Sequence, residues 1–213
     1  MAVTFRPGAR ALVLAAHTDD EFGCAGTILR LLDAGAEVRY LALSRCEESV
    51  PVGYPADILE IECRRCLAGL GLGEERVTVG RHPVRHFPSR RQEILEELVE
   101  IGRAWAPELV LLPCSEDTHQ DHATVAHEGF RAFKHASLLG YELPQNLLSF
   151  RNSAFVGLSE RQLEIKLEAL SSYRSQGSRA YSSPDFIRGL AHLRGVQSGL
   201  GLAEAFELVR LMV

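Results

Sequence analysis

Short apolar runs alternate with longer amphipathic stretches through the first two thirds of this chain, and that alternation constrains the fold more than any other feature. Residues 11–16, 38–43, 76–79 and 108–112 read as strands. Residues 23–34, 55–70 and 90–105 between them read as helices. In the last of these Ile94, Leu95, Leu98, Val99 and Ile101 form an apolar stripe, and Pro107 follows as a stop. Gly35, after Asp33 and Ala34, suits the left-handed residue that closes a helix. Strands and helices in alternation predict a three-layer α/β fold with a mostly parallel sheet. Further on, the pattern predicts a helix over 122–135, short strands at 139–143 and 153–158, and an amphipathic helix over 160–172. A polar, glycine-punctuated loop at 175–183 and helices at 184–194 and 203–211 complete the reading.

Two of the strand-like runs end in clusters of ionisable residues. The first delivers His17-Thr18-Asp19-Asp20-Glu21, and the second leads to His119-Gln120-Asp121-His122. Open α/β sheets bind ligands at the carboxyl ends of their strands, so both clusters fall where chemistry is expected. A hydrolytic zinc ion needs about three protein ligands and a position left open for water. His17 and Asp20 can supply two ligands from one tight turn, and His122 a third from the other. Asp19 would then stand beside the water as general base, and His119, as an imidazolium, could stabilise an oxyanion or protonate a leaving amine. Each residue also has a plainer reading. Asp19 and Asp121 both precede helix-like segments and could cap them. Asp121 could in addition support a ligand by hydrogen bonding, and Glu21 either supports the site in the same way or sits in a first helical turn favoured by the dipole.

Composition narrows the field. With 213 residues, 46% of them hydrophobic and 24% charged, the chain can bury a substantial core as one domain, residues 1–213. A net charge of −5 argues against a protein built mainly to bind nucleic acid, which would need a basic face to neutralise phosphates. No stretch approaches the roughly twenty apolar residues of a membrane span, and the first ten residues lack a secretory apolar segment. The expectation is a cytoplasmic protein with a small-molecule partner, with a homo-oligomer left open. Five scattered cysteines read as reduced thiols, and Cys63 and Cys66 as two small apolar residues on one helix face. Five further histidines read as structural: His127 and His135 lie at helical spacing on a mixed face, and His82, His86 and His192 lack an acidic residue at ligand spacing.

Taken together the motifs resemble a known family. His17-Thr18-Asp19-Asp20-Glu21 is similar to the His-Pro-Asp-Asp-Glu motif of the LmbE-like, or PIG-L, family of N-acetylglucosamine deacetylases. Asp117-Thr118-His119-Gln120-Asp121-His122 resembles its second motif, and Gly23-Cys24-Ala25-Gly26-Thr27 its glycine-rich helix start. Glu62 with Leu70-Gly71, Lys166 to Leu170 with Tyr173-Arg174-Ser175-Gln176, and Ala203-Glu204-Ala205-Phe206 are similar to further signatures, so the resemblance spans nearly the whole chain. It implies a Rossmann-like αβα fold and a zinc-dependent amidase that removes acetyl from the 2-amino group of a glucosamine-type sugar or conjugate. It implies His17, Asp20 and His122 as zinc ligands, Asp19 as general base and His119 as the histidine assigned to transition-state stabilisation or acid catalysis. The main departure is Thr18, where the family usually has proline; the turn loses a fixed φ, but Thr can adopt the same extended backbone.

Two other classes remain open at this level. One is a sugar- or nucleotide-binding Rossmann-like module that retains a metal site without catalysis, although no GxGxxG follows the first strand. The other is a different metal-dependent amide or ester hydrolase, since Asp117 to His122 is one residue away from the His-x-His-x-Asp-His pattern of metallo-β-lactamase-like enzymes. Substrate contacts are expected from Arg45, Glu47 and Glu48, from residues 85–91, or from the 175–183 loop with Arg179.

Overall fold

Parallel pairing begins at β1 (Arg10–Ala15) in a computed structural model that describes residues 5–212. On one side β1 pairs with β2 (Glu37–Ala42), and β2 with β3 (Val77–Val79); on the other it pairs with β4 (Leu109–Pro113), and β4 with β5 (Ser137–Tyr141). All four pairings are parallel. β7 (Leu202–Arg210) then runs antiparallel between β5 and β6 (Ala154–Leu158), giving the order β3-β2-β1-β4-β5-β7-β6. The α/β class and the mostly parallel sheet expected above are what forms.

Alternation along β1 shows why both faces are covered. Ala11, Val13 and Ala15 join one core with residues of α1 (Ala25–Asp33), α2 (Ile58–Gly69), α5 (Glu160–Leu170) and α6 (Pro184–Ser198). Leu12, Leu14 and Ala16 join a second core with Ile94 and Leu98 of α3 (Arg91–Trp105) and Val125 of α4 (Gln120–Ala132). A strand buried on both faces is apolar at successive positions, which is what the run Ala11 to Ala16 shows. Among the described residues no helix is long and apolar enough to cross a membrane.

One expected element is of the wrong type. Residues 203–211, expected as a helix, lie almost entirely within β7. Ala, Glu and Leu favour helix as single residues, but Leu202-Ala203-Glu204-Ala205-Phe206 pairs with β6 across five positions while Phe206 also faces Tyr141 of β5. Ladder hydrogen bonds on both edges and burial of residues 202–207 outweigh a propensity of a few tenths of a kcal/mol per residue. The start of α1 also differs from the expected 23–34: a 3-10 turn occupies Asp20–Gly23, and the α-helix begins at Ala25.

The order of strands reverses at β1. Its neighbours β2 and β4 lead off in opposite directions, so a crevice opens beyond the carboxyl ends of β1 and β4. Both polar clusters of the sequence follow those two strands.

Candidate active site

The 3-10 turn after β1 is stapled to the strand by its own carboxylate. Asp20 Oδ2 accepts from the amides of Ala16 at 2.7 Å and His17 at 3.1 Å, and from Tyr141 Oη at 3.2 Å. That leaves Oδ1 free to face His122 Nε2 at 3.2 Å and His17 Nδ1 at 3.7 Å. From the other side α4 begins immediately at the second cluster and presents His122 on its first turn. His17 Nδ1 and His122 Nε2 stand 2.9 Å apart.

The far nitrogen of each ring is held by a carboxylate. His17 Nε2 lies 3.1 Å from Asp121 Oδ2, and His122 Nδ1 lies 2.7 Å from Asp117 Oδ2. A ring that donates to a carboxylate turns a lone pair outward from its other nitrogen, as metal-binding histidines do. Two imidazole lone pairs and the Asp20 oxygen therefore converge on one point. Three acceptors cannot share a focus without a positive charge there, either a proton or a metal cation. Burial opposes a charged imidazole at His122, yet Asp20 and Asp117 outweigh it and hold its pKa up, to about 10. The donor set fits a divalent ion of borderline softness, and His17, His119 and His122 together could hold one, with their nitrogens within 4.8 Å of one another.

Asp19 and His119 line the same pocket, a cleft of about 180 Å³ that also includes Arg179, Tyr181 and Asn146. Asp19 stands at the N-cap position of the 3-10 turn but its side chain makes no capping bond, so the carboxylate is not spent on the backbone. Burial, then the neighbouring Asp20 charge, raises its pKa. His119, not Asp121, caps α4: its Nδ1 accepts from the Asp121 amide at 3.2 Å. Burial, followed by the charges of His17 and His122, pushes its pKa down to about 4, so His119 is a neutral imidazole with its hydrogen on Nε2 instead of the expected imidazolium.

Asp121 is a buried hub. Besides His17 it accepts from the amides of Arg85 at 2.5 Å and Phe87 at 3.2 Å, and Arg85 adopts a left-handed backbone (φ 71°) in presenting its N–H. Glu21 sits behind the turn, where it accepts from Tyr40 at 2.9 Å and from Tyr173. Tyr173 also donates to the Thr18 carbonyl, and Tyr40 lies 3.4 Å from the His17 carbonyl. Sequence reasoning assigns no role to Asp117, Tyr40, Tyr141 or Tyr173. Asp117 has a local signal, an acid five residues before a candidate ligand histidine, whereas the tyrosines arrive from separate strands and loops.

Of the expected substrate contacts, Arg179 lines the pocket, while Arg45 is tied to Glu47 at 3.0 Å. His82, which lacks an acidic residue at ligand spacing in the sequence, pairs across the fold with Glu97 at 2.8 Å, outside the pocket. All five cysteines are free and buried.

An open α/β sheet with a cluster of inward-facing acceptors at its switch point defines a ligand-binding or catalytic protein of the doubly wound class. The chain belongs to the PIG-L (LmbE-like) family: the family described as GlcNAc-PI de-N-acetylase matches residues 12–133, which include both clusters. Solved structures agree on the fold. The N,N'-diacetylchitobiose deacetylase of Pyrococcus horikoshii is 20% identical, with a TM-score of 0.79 over 96% of this chain and 85% of that one. The conserved protein TT1542 of Thermus thermophilus is 23% identical, with a TM-score of 0.79 over 96% of each chain. GalB, a 4-carboxy-2-hydroxymuconate hydratase from Pseudomonas putida, is 18% identical, with a TM-score of 0.74 over 96% of this chain and 98% of that one.

Proposed function

We propose that this protein is a metal-dependent N-deacetylase that hydrolyses the acetamide on the 2-amino group of an N-acetylglucosamine-type sugar or sugar conjugate. The observation that carries the reading is the convergence of His17 Nδ1, His122 Nε2 and Asp20 Oδ1 beside a carboxylate, Asp19, that no capping bond occupies. His17, Asp20 and His122 would hold the ion, and two imidazoles with one carboxylate suit zinc. A bound ion of this kind supplies Lewis acidity, polarising a carbonyl and lowering the pKa of water from about 15.7 toward about 7.

The chain's own residues supply the proton transfers. Asp19 takes the proton of the attacking water, and its raised pKa brings its basicity closer to neutral pH. His119, neutral and with Nε2 as donor, stabilises charge on the acetamide oxygen as the new C–O bond forms. The C–N bond then breaks. Asp19, now carrying the proton, or His119 protonates the departing amine, and acetate is the second product. Asp121 and Asp117 keep the rings of His17 and His122 turned inward.

The hydratase among the structural neighbours shows that this fold also hosts other chemistry, so the assay must read the product itself. Metal content is measured together with acetate release from N-acetylated free sugars, sugar nucleotides, thiol conjugates and lipid-linked sugars. Wild type is expected to carry about one zinc per chain and release acetate from at least one class. Asp19→Asn should keep the metal and lose about 10²- to 10⁴-fold in turnover, whereas His122→Ala should lose the metal. Full turnover in Asp19→Asn overturns the mechanism. Bound metal with no acetate from any substrate favours a binding module.

A further inference from the structure

The turn that carries Asp19 and Asp20 runs directly into α1, and α1 has no cap of its own. Cys24 holds the N-cap position and makes no side-chain hydrogen bond. Free amides at a helix start are best satisfied by an anion. Glu204, on distant β7, provides one: its Oε1 accepts from the Gly26 amide at 2.8 Å, and its Oε2 from the Thr27 amide at 2.7 Å and Thr27 Oγ1 at 2.6 Å. Gly26 makes the approach possible, since a Cβ there would lie 2.9 Å from Glu204 Oε1 and 2.6 Å from Leu158 Cδ1.

A carboxylate this deeply buried needs a cation. Lys166 of α5, equally buried, places Nζ 2.7 Å from Glu204 Oε1. The same ammonium donates to the Phe22 carbonyl at 2.9 Å, and Phe22 lies within the 3-10 turn. One ion pair thus grips both sides of the joint between the turn and α1. The strand side of the turn has separate anchors, in the bonds from Ala16, His17 and Tyr141 to Asp20.

Buried ion pairs contribute little net stability, and apolar replacements are often neutral, so geometry is the better reason to keep one. We propose that Glu204 and Lys166 are positioning residues for the carboxylate turn, setting Asp19 and Asp20 against His17 and His122. The proposal rests on the reading of that turn as catalytic.

The test uses full-length Lys166→Met, Glu204→Gln, Thr27→Val and Lys166→Arg. For each, the zinc dissociation constant is read by competition with a chromophoric chelator, and kcat and KM with the acetylated substrate. Lys166→Met and Glu204→Gln are expected to bind zinc about tenfold more weakly and to lose about tenfold in kcat, with KM within about threefold. Thr27→Val, which removes one hydrogen bond, should shift the same way by less, and Lys166→Arg should restore most of the loss. Leu98→Ala, in the core on the opposite face of the sheet, lowers the melting temperature and should leave zinc affinity and kcat unchanged. Wild-type zinc affinity and kcat in folded Lys166→Met overturn the proposal, as does an equal loss in Leu98→Ala. If Lys166→Met does not fold, unchanged zinc affinity in Thr27→Val overturns it. Zinc affinity needs no substrate, so a wild type that releases no acetate defeats the deacetylase reading while the binding series still decides the positioning role.

Discussion

Thr18 separates the two candidate site residues His17 and Asp19, and its surroundings show how this turn is held. Its carbonyl accepts from Tyr173, and the turn after it is held by Tyr141 on Asp20 and Lys166 on Phe22. The turn is therefore tethered from β5, α5 and the loop after α5. Thr18 is fully buried, and among the described residues its Oγ1 has no hydrogen-bond partner. A buried hydroxyl without a partner costs about 1–3 kcal/mol. Thr18→Val keeps the shape and removes that group, so it should raise stability by about 1 kcal/mol in urea titration without loss of turnover. A destabilised variant would show that the hydroxyl has a partner after all. At this scale the candidate ligands were legible because the two clusters are contiguous in sequence. Their orienting groups were legible only in part: Asp121 lies inside a motif, whereas nothing near Tyr173 points to the Thr18 carbonyl.

Elements were legible where their period is unambiguous. β1 and β4 are short, apolar through most of their length and bounded by polar residues, and α3 carries a stripe that only a helix can bury. β7 was not, because Leu, Ala, Glu and Phe at these positions satisfy a strand and a helix alike, and the decision came from the two strands on either side. Phe206 marks the decision: it is fully buried and faces Tyr141 on one edge and Ala154 on the other. Phe206→Ala is expected to cost about 3–5 kcal/mol, read by chemical denaturation. A cost under about 1 kcal/mol would mean that β7 is not a central strand of the sheet.

For the molecule as a whole, burial of ionisable groups makes stability depend on pH. Burial pushes the Glu21 carboxyl from 4.5 up to about 8, against the hydrogen bonds of Tyr173 and Tyr40. An acid with a raised folded pKa favours the folded state fully below its unfolded value and loses that contribution as pH rises through the folded one. Glu21 therefore stabilises most below about pH 4.5 and least above about pH 8. Melting temperature should fall over that window in wild type and fall less in Glu21→Gln, whose uncharged amide mimics the protonated acid. Equal slopes in the two proteins would show that Glu21 is ionised throughout.

The alternation of strands and helices through the first two thirds of the chain, the two acid and histidine clusters and the family they resemble are set by the sequence itself, since periodicity and contiguous motifs are local properties. Tertiary structure decided the rest. It made residues 202–210 a strand, turned the two imidazole lone pairs toward Asp20, and kept His119 neutral. It also brought Glu204 and Lys166 to the start of α1. Each of these depends on burial or on a partner far away in the chain, and neither is written in the residues on either side.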